Sequence, residues 1–371
     1  MKLGKNKFSV MRYSKLMRFA NWLQQFPNKV TPPPFRLIQI GSAIWQSRSL
    51  YIAAKLGLAD EISDAGTGVS SISEKLHLNE DHLYRLMRML ASIGVFVETS
   101  PRTFKNSKLS EYLRRDNPEN VRSMVLMHNS SEMIRPWIDS LEDSIRDGSV
   151  PFEKVNGVNL FEYMNQNKDF DTLFSQAMVS VENITGVQFL EDLDWSIFKR
   201  IIDVGGSNGA KALAILKANP ELIATVVDRP QVILNAKEKW QGIFDQSVLE
   251  RIEYIGGDVF DSIPKASSEH DIYLFIAVFH AFSDNDCKLI LENLKTSMGS
   301  LSPYAVIADA VANEINIDAM TASMDMQMLM GTRGRERTQS EWEQLMCSCG
   351  FKIESILNTR SFVKYIVIRK K

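Results

Sequence analysis

The feature that most restricts the fold is a change of texture at Arg200. Beyond it, short, continuously apolar runs rich in β-branched residues alternate with stretches of helical spacing. The runs are IIDV, IATVVD, RIEYIGGD, IYLFIAVF, YAVIADAV, KIESIL and FVKYIVIR. Strands that are apolar on both faces must be covered on both faces, and strands separated by helices pair in parallel. The expected fold class is α/β, with a mostly parallel seven-stranded sheet. Ligands of such sheets sit beyond the carboxyl ends of the strands, where strand order reverses. The loops that follow the strands are therefore where chemistry is expected.

The chain has 371 residues, which suggests two domains or three. Upstream of Arg200, the stretch VTPPPFRLIQIG marks a boundary, because three prolines stop any preceding helix. Phe35 to Leu58 then reads as helical. A short helix in SSISEKL, a turn at His77–Asn79 and a longer helix from Asp81 to Ser92 follow. Gly94 ends that helix, and a two-stranded wing is expected around VFVETSPRTFKNS. This is a winged-helix pattern. A helix that reads the major groove shows a basic, polar outer stripe. Here Arg85 and Arg88 share the helix with Glu80, Asp81, Leu83, Leu86, Met87, Met89 and Leu90, which favours packing or dimerisation over DNA. Residues 120–190 read as helices rich in methionine and aromatics. The expected domains are an N-terminal basic arm over 1–30, a winged-helix dimerisation domain over 31–117, and a helical substrate segment with the α/β domain over 118–371.

An apolar fraction of 44% with 24% charged residues describes a soluble globular chain. The formal net charge of −2 leaves no global basic field to recruit nucleic acid or anionic lipid. Cys287, Cys347 and Cys349 lack metal-ligand spacing, so no metal is expected, and a reducing, cytoplasmic compartment is. No run approaches the length of a membrane span. Lys2, Lys5, Lys7, Arg12, Lys15 and Arg18 precede any acid. That arm lacks the apolar core of a secretory signal and reads as mobile or partner-embracing, with an organelle address or a membrane-surface role as alternatives.

The first strand ends in IIDVGGSNGA, with Asp203, Gly205, Gly206, Ser207, Asn208 and Gly209 leading directly into a helix. Glycines admit positive φ and let the backbone approach a ligand without a Cβ in the way. The second strand ends in Asp228, beside Arg229, where an acid can hold ribose hydroxyls. The third ends in GGDVF. There Asp258 can accept from an exocyclic amine, and Val259 and Phe260 can pack on a base. Acids at three successive strand ends suit a nucleoside. A nicotinamide site wants G-x-G-x-x-G. This turn is G-x-S-x-G with an acid immediately before it, which suits a cationic, amino-acid-bearing nucleoside. S-adenosylmethionine (SAM) is favoured over NAD.

These motifs carry a resemblance. The sequence resembles the SAM-dependent O-methyltransferases of the caffeate and hydroxyneurosporene type over nearly its whole length. The family's D-V-G-G-G-x-G stands here as DVGGSNG, its D-L-P as DRP (228–230) and its G-D-M-F as GDVF (257–260). Its H-D-W-x-D appears as HAFSD (280–284) and its G-G-x-E-R-T as RGRERT (333–338). The resemblance implies a Rossmann-like SAM-binding domain, S-adenosylhomocysteine as the product of the cofactor, and a winged-helix domain used for homodimerisation and not for DNA.

Methyl transfer requires an oxygen aligned with the S–CH₃ bond and a route for its proton. The second need suits a base titrating near neutrality, which points to histidine. His280 is expected to end the fourth strand, on the same edge as the glycine turn, and the resemblance makes it the general base. The alternative is a histidine packed beside Phe279 and Phe282. Such a base needs a carboxylate partner, and Asp309 and Glu336 are both assigned to orienting it. For Glu336 the alternative is a surface ion pair with Arg335 or Arg337, and for Asp309 a helix or turn cap. The substrate pocket is expected to draw on Met124, Met127, Trp137, Phe174, Met178 and the run MDMQMLM, which contains Met324 and Met328. Methionine adapts to irregular apolar ligands. His128, by the resemblance, is a second pocket candidate.

Four positions depart from the family pattern. Ser207 replaces a glycine, Ala281 and Phe282 replace Asp-Trp, and Ile276 stands where Lys or Arg is common. These departures keep open a SAM-binding member of the fold devoted to hydroxylation, decarboxylation or pericyclic chemistry. A metabolite-sensing DNA-binding regulator is a third reading, against which the acidic winged segment speaks. The expected function is methylation of a phenolic or enolic hydroxyl on a small secondary metabolite.

Overall fold

The computed structural model describes residues 3–234 and 236–371, with backbone alone for 28, 182–184 and 237. The chain forms two compact units, Met1–Leu23 with Val187–Lys371, and Gln24–Gly186. This division differs from the expected one at both ends. The helical segment after residue 117 groups with the winged helix, where helices Arg122–His128 and Lys168–Thr185 pack together. The start of the chain groups with the sheet. Leu3 is buried beside Phe189 and Leu193, Gly4 bridges Leu193, and the Lys5 amide donates to the Asp192 carbonyl at 2.7 Å. The basic arm is thus seated at its root by one apolar side chain and a short strand-like contact.

In the winged-helix unit, β1 (Thr67–Gly68), β2 (Phe96–Ser100) and β3 (Thr103–Asn106) form an antiparallel sheet in the order β1-β3-β2. Helix Glu80–Ser92 starts where the Asn79 side chain accepts from the His82 amide at 3.0 Å. Such a cap satisfies one of the four orphan amides of a first turn. Leu83, Met87 and Leu90, one stripe of this helix, are buried. On its outer side the Tyr84 hydroxyl donates to Glu98 at 2.9 Å, Arg102 pairs with Glu80 at 3.2 Å, and Arg88 and Arg102 lie over the Tyr84 ring. The stretch expected as one helix from Phe35 to Leu58 is two, Pro33–Gly41 and Ala43–Leu56, meeting at Ser42 just after a glycine. Glycine disfavours helix by roughly 1 kcal/mol relative to alanine.

In the larger unit the seven expected strands appear as β4 (Arg200–Val204), β5 (Ile223–Asp228), β6 (Ile252–Gly256), β7 (Asp271–Ile276), β8 (Tyr304–Asp309), β9 (Phe351–Asn358) and β10 (Lys364–Lys370). Their order is β6-β5-β4-β7-β8-β10-β9, and only β10 runs antiparallel to its neighbours. Each central strand feeds both faces. Ile201 joins the cluster of Leu213, Leu216 and Ile272, while Ile202 joins that of Phe275, Ile290 and Trp342. Chain order reverses between β4 and β7, which is where a doubly covered sheet opens a crevice for ligand.

One buried carboxylate ties three separate segments of this unit. Asp192, 2% exposed, accepts from the Arg360 Nε and the Arg360 amide, both at 2.8 Å, and from Asn6 Nδ2 at 3.4 Å. Removing one member of a buried pair strands its partner's hydrogen-bonding groups, although Arg360 keeps Glu191 at 2.9 Å. Asp192→Ala is expected to destabilise the protein by about 3 kcal/mol, read from the urea unfolding midpoint.

Candidate active site

The glycine turn leaves β4 with Gly205 and Gly209 in the left-handed region. Gly206 is glycine for a different reason. A Cβ there would lie 2.6 Å from Asp203 Oδ2 and 2.9 Å from Val226 Cγ1. The missing side chain lets Asp203, 1% exposed, sit directly beneath the turn. Ser207 takes φ +52, a conformation that costs an L-residue about 1 kcal/mol. Its amide donates to Asp228 Oδ2 at 2.8 Å, and the Arg229 amide donates to Oδ1 at 2.7 Å. Asp228 is thereby aimed at the mouth of the turn. Burial pushes its carboxyl up, against the pull of those two amides and the Arg229 charge.

The third strand end completes the cradle. Asp258 is exposed and accepts from the Phe260 amide at 2.9 Å. Val259 and Phe260 are half-buried, and Phe260 meets Phe282 edge-on with centroids 5.1 Å apart. Asn293 Nδ2 pins the backbone by donating to the Val259 and Phe260 carbonyls at 2.9 and 2.8 Å. The arrangement is a turn without side-chain bulk, carboxylates at Asp203, Asp228 and Asp258, and an apolar wall. It fits a cationic nucleoside by both shape and charge.

His280 does not end the fourth strand of the sheet. That strand, β7, stops at Ile276, Ala277 turns through φ +53, and His280 lies in the short 3₁₀ turn Phe279–Ala281. Ile276 is thus the last residue of β7. The His280 Nδ1 is 2.8 Å from Glu336 Oε1, with 17% of the histidine side chain and none of the glutamate exposed. Phe279 points the other way, fully buried against Phe275 and Trp342. Burial opposes charging of the His280 ring, but the Glu336 hydrogen bond and the nearby Asp309 and Glu336 charges outweigh it against Arg337. The net direction is upward from 6.5.

The two carboxylates expected to orient His280 divide. Glu336 holds the ring, so neither surface pair proposed for it forms. Asp309 does not hold it. Neither of its oxygens makes a hydrogen bond among the described residues, whether to the ring or as a cap. It is sealed at the end of β8, 1% exposed, where burial first and the Glu336 charge second push its carboxyl up to about 7, against His280 and Arg337. Asp309 acts on His280 through its charge, across the edge of the sheet.

Two residues that the motifs did not single out build the histidine turn. Arg337, 1% exposed, donates from Nη1 to the Phe279 carbonyl and from Nη2 to the Phe282 carbonyl, both at 3.0 Å, and from Nη2 to Asp284 Oδ1 at 2.7 Å. Gly334 lies so close that a Cβ would be 1.9 Å from the His280 carbonyl oxygen. The segment RGRERT therefore presses its backbone on the 279–282 turn while Glu336 reaches the ring. The adjacency of Arg337 to Glu336 was the available signal; its direction of reach was not.

The expected substrate residues fall in both units. Met324 and Met328 are half-buried on helix Ala319–Gly331, whose Asp325 accepts from the Glu336 amide at 2.9 Å. In the winged-helix unit Met124, Trp137, Phe174 and Met178 are half-buried and His128 is exposed. Met127 has no exposed surface and serves there as packing, contrary to its expected pocket role. It is the inward residue of a short helix pressed on Lys168–Thr185.

With this geometry in place, comparison with known proteins settles the class. Residues 137–352 match the O-methyltransferase domain and residues 38–116 the O-methyltransferase dimerisation domain. The chain belongs to the SAM-dependent O-methyltransferase family. It is 30% identical over 333 residues to a phenazine O-methyltransferase of Lysobacter antibioticus, covering 90% of this chain and 95% of that one. It is 28% identical to a 3-amino-4-hydroxybenzoate 4-O-methyltransferase of Streptomyces cremeus, over 86% of each. The crystal structure of LaPhzM superposes with a TM-score of 0.83 at 30% identity, covering 92% of this chain and all of that one. The protein is a SAM-dependent O-methyltransferase, and it carries the family's dimerisation domain.

Two substitutions test the architecture of the site. Gly334→Ala is expected to lower methyl transfer by about 10²-fold through displacement of the His280 turn, with SAM affinity by calorimetry changing less than about threefold. Ser207→Gly is expected to stabilise the protein by up to about 1 kcal/mol, by removing a left-handed L-residue. A thermal melt that falls instead would show that the serine hydroxyl contributes more than its backbone costs.

Proposed function

We propose that His280 is the general base that deprotonates the acceptor hydroxyl, and that Glu336 is its orienting partner. The observation that carries this is the 2.8 Å contact between His280 Nδ1 and Glu336 Oε1. A carboxylate accepts only, so Nδ1 carries the hydrogen, and Nε2 presents a lone pair. The tautomer needed for taking a proton is thus selected by the second nitrogen, as in other histidine–carboxylate pairs. When bound, SAM supplies an electrophilic methyl group on a positively charged sulfur. Gly205, Ser207 and Gly209 provide the turn for it, with Asp203 and Asp228 as the charges that suit its cationic amino-acid and ribose parts. Asp258, Val259 and Phe260 face its base. The proton taken by Nε2 makes an imidazolium that Glu336 stabilises by hydrogen bond and Asp309 by charge.

The acceptor proposed is a small molecule with a phenolic or enolic hydroxyl, whose acidity brings its proton within reach of an imidazole. The phenazine and hydroxybenzoate relatives support this choice. Met124, Trp137, His128, Phe174, Met178, Met324 and Met328 are the proposed acceptor contacts. The working form proposed is a cytoplasmic homodimer joined through the winged-helix domain. Nucleic acid is not a proposed partner, since Arg88 and Arg102 are engaged by Tyr84 and Glu80.

His280→Ala is expected to bind SAM as the parent does and to lose about 10²–10⁴-fold in turnover; full activity would remove the histidine from the mechanism. The pH profile provides a second check. A base must be neutral to act, so kcat/KM should rise with pH through the His280 pKa, which lies above 6.5. Glu336→Gln removes a group that raises this pKa, so the acidic limb should move to lower pH while the maximum rate falls. A limb that stays in place would assign the titration to another group.

A further inference from the structure

The carbonyl of Asn208 accepts two side-chain hydrogen bonds. Trp240 Nε1 donates to it at 2.7 Å, and the Tyr254 hydroxyl at 3.1 Å. Neither donor belongs to the glycine turn or to the acids at the strand ends. Tyr254 is the third residue of β6, and Trp240 follows the short helix Ala236–Lys239. Both side chains are half-buried. An indole nitrogen can only donate. Burial first, and the Asp203 charge second, push the Tyr254 hydroxyl up to about 12, so it too keeps a proton to give. Tyr254 also presses on the turn by shape. A Cβ on Gly209 would stand 2.7 Å from its hydroxyl oxygen.

The same peptide unit is held at its other end, where the Gly209 amide donates to the Gly206 carbonyl at 2.9 Å. Upstream, the Ser207 amide is held by Asp228 at 2.8 Å. Anchored peptides thus lie on both sides of the Ser207–Asn208 pair. Ser207 has φ +52, a region that an L-residue disfavours and a glycine does not. A site whose binding form is only partly populated loses apparent affinity by that fraction. Unheld, a turn with serine here would take its left-handed form in about one molecule in five or fewer. We propose that Trp240 and Tyr254 are positioning residues that hold the serine-bearing turn in its SAM-binding form by gripping the Asn208 carbonyl. This rests on the reading that residues 205–209 seat SAM.

Tyr254→Phe removes only the hydroxyl, and Trp240→Phe keeps an aromatic ring without the indole donor. The test is calorimetric affinity for SAM of the full-length protein carrying both changes, in the parent and in a Ser207→Gly background. The expected result is a Kd raised at least about fivefold where residue 207 is serine, and less than about twofold where it is glycine. Each single variant leaves one donor on the shared carbonyl and should raise Kd by about two- to threefold, again only with serine present; these variants decide the matter if the double variant does not fold. An equal loss in both backgrounds overturns the proposal, because it marks general damage and not release of the serine. No loss in either background overturns it as well. Asp228→Asn separates that failure from failure of the underlying reading. If this variant weakens SAM binding while the Trp240 and Tyr254 variants do not, the proposal alone falls. If it leaves SAM binding at the parent level, the turn is not the seat of SAM and the proposal falls with that reading.

Discussion

The reacting edge of the sheet depends on one buried cation. Arg337 is sealed from solvent and donates to the carbonyls of Phe279 and Phe282, the residues on either side of the histidine turn, and to Asp284. A guanidinium carries five donors in a rigid fork, so a single side chain can satisfy carbonyls that would otherwise be orphaned by a tight turn. A turn held only by its own amides would leave His280 free to move. Here the same short segment that supplies the clamp also supplies Glu336, so the ring and the backbone under it are located by neighbouring residues of one loop. Trp342, 5.3 Å from the Arg337 guanidinium and fully buried, closes the far side.

Around that clamp the electrostatics are arranged as a gradient of burial. Glu336 reaches the ring, Asp309 stands behind it without a hydrogen bond, and Asp284 lies half in water and pairs with Arg337 and Arg335. Burial drives Asp309 toward a pKa of about 7, so its charge is conditional on pH where that of an exposed aspartate would not be. Charging of His280 is favoured by each carboxylate that is ionised, and ionisation of Asp309 is favoured by a charged His280. The histidine and aspartate titrate as a linked pair. The second oxygen of Glu336 and both oxygens of Asp309 are buried acceptors without hydrogen bonds among the described residues, which is where a donor group would be most strongly held.

The fold was legible because its signals are local. Seven β-branched runs became seven strands, and the glycine turn, Asp228 and GDVF came out at the ends of adjacent strands, because strand alternation and turn chemistry are written within a few residues. The wing and its two helices were legible for the same reason. The errors lie where packing decides. Nothing local distinguishes Met127, which turned inward, from Met124, which is half-buried, since both sit on one short helix. Nor did spacing reveal that residues 118–186 pack with the winged helix, although the match to the O-methyltransferase domain begins at residue 137, or that Leu3 seats the basic arm against the sheet.

What the sequence by itself determined is the class of sheet, the place of the glycine turn and the acids at three strand ends. These follow from residue types whose conformational and chemical demands act over a turn or a strand. Only the tertiary structure decided that Asp309 lies buried beside the histidine turn without a hydrogen bond to the ring, that Arg337 grips the turn, and that Gly334 is glycine because the His280 carbonyl occupies the space of its side chain. Those are relations between segments 29 to 58 positions apart in the chain. Close packing of β7, β8 and the 333–338 loop sets them, and no propensity within any one segment encodes which neighbour will arrive.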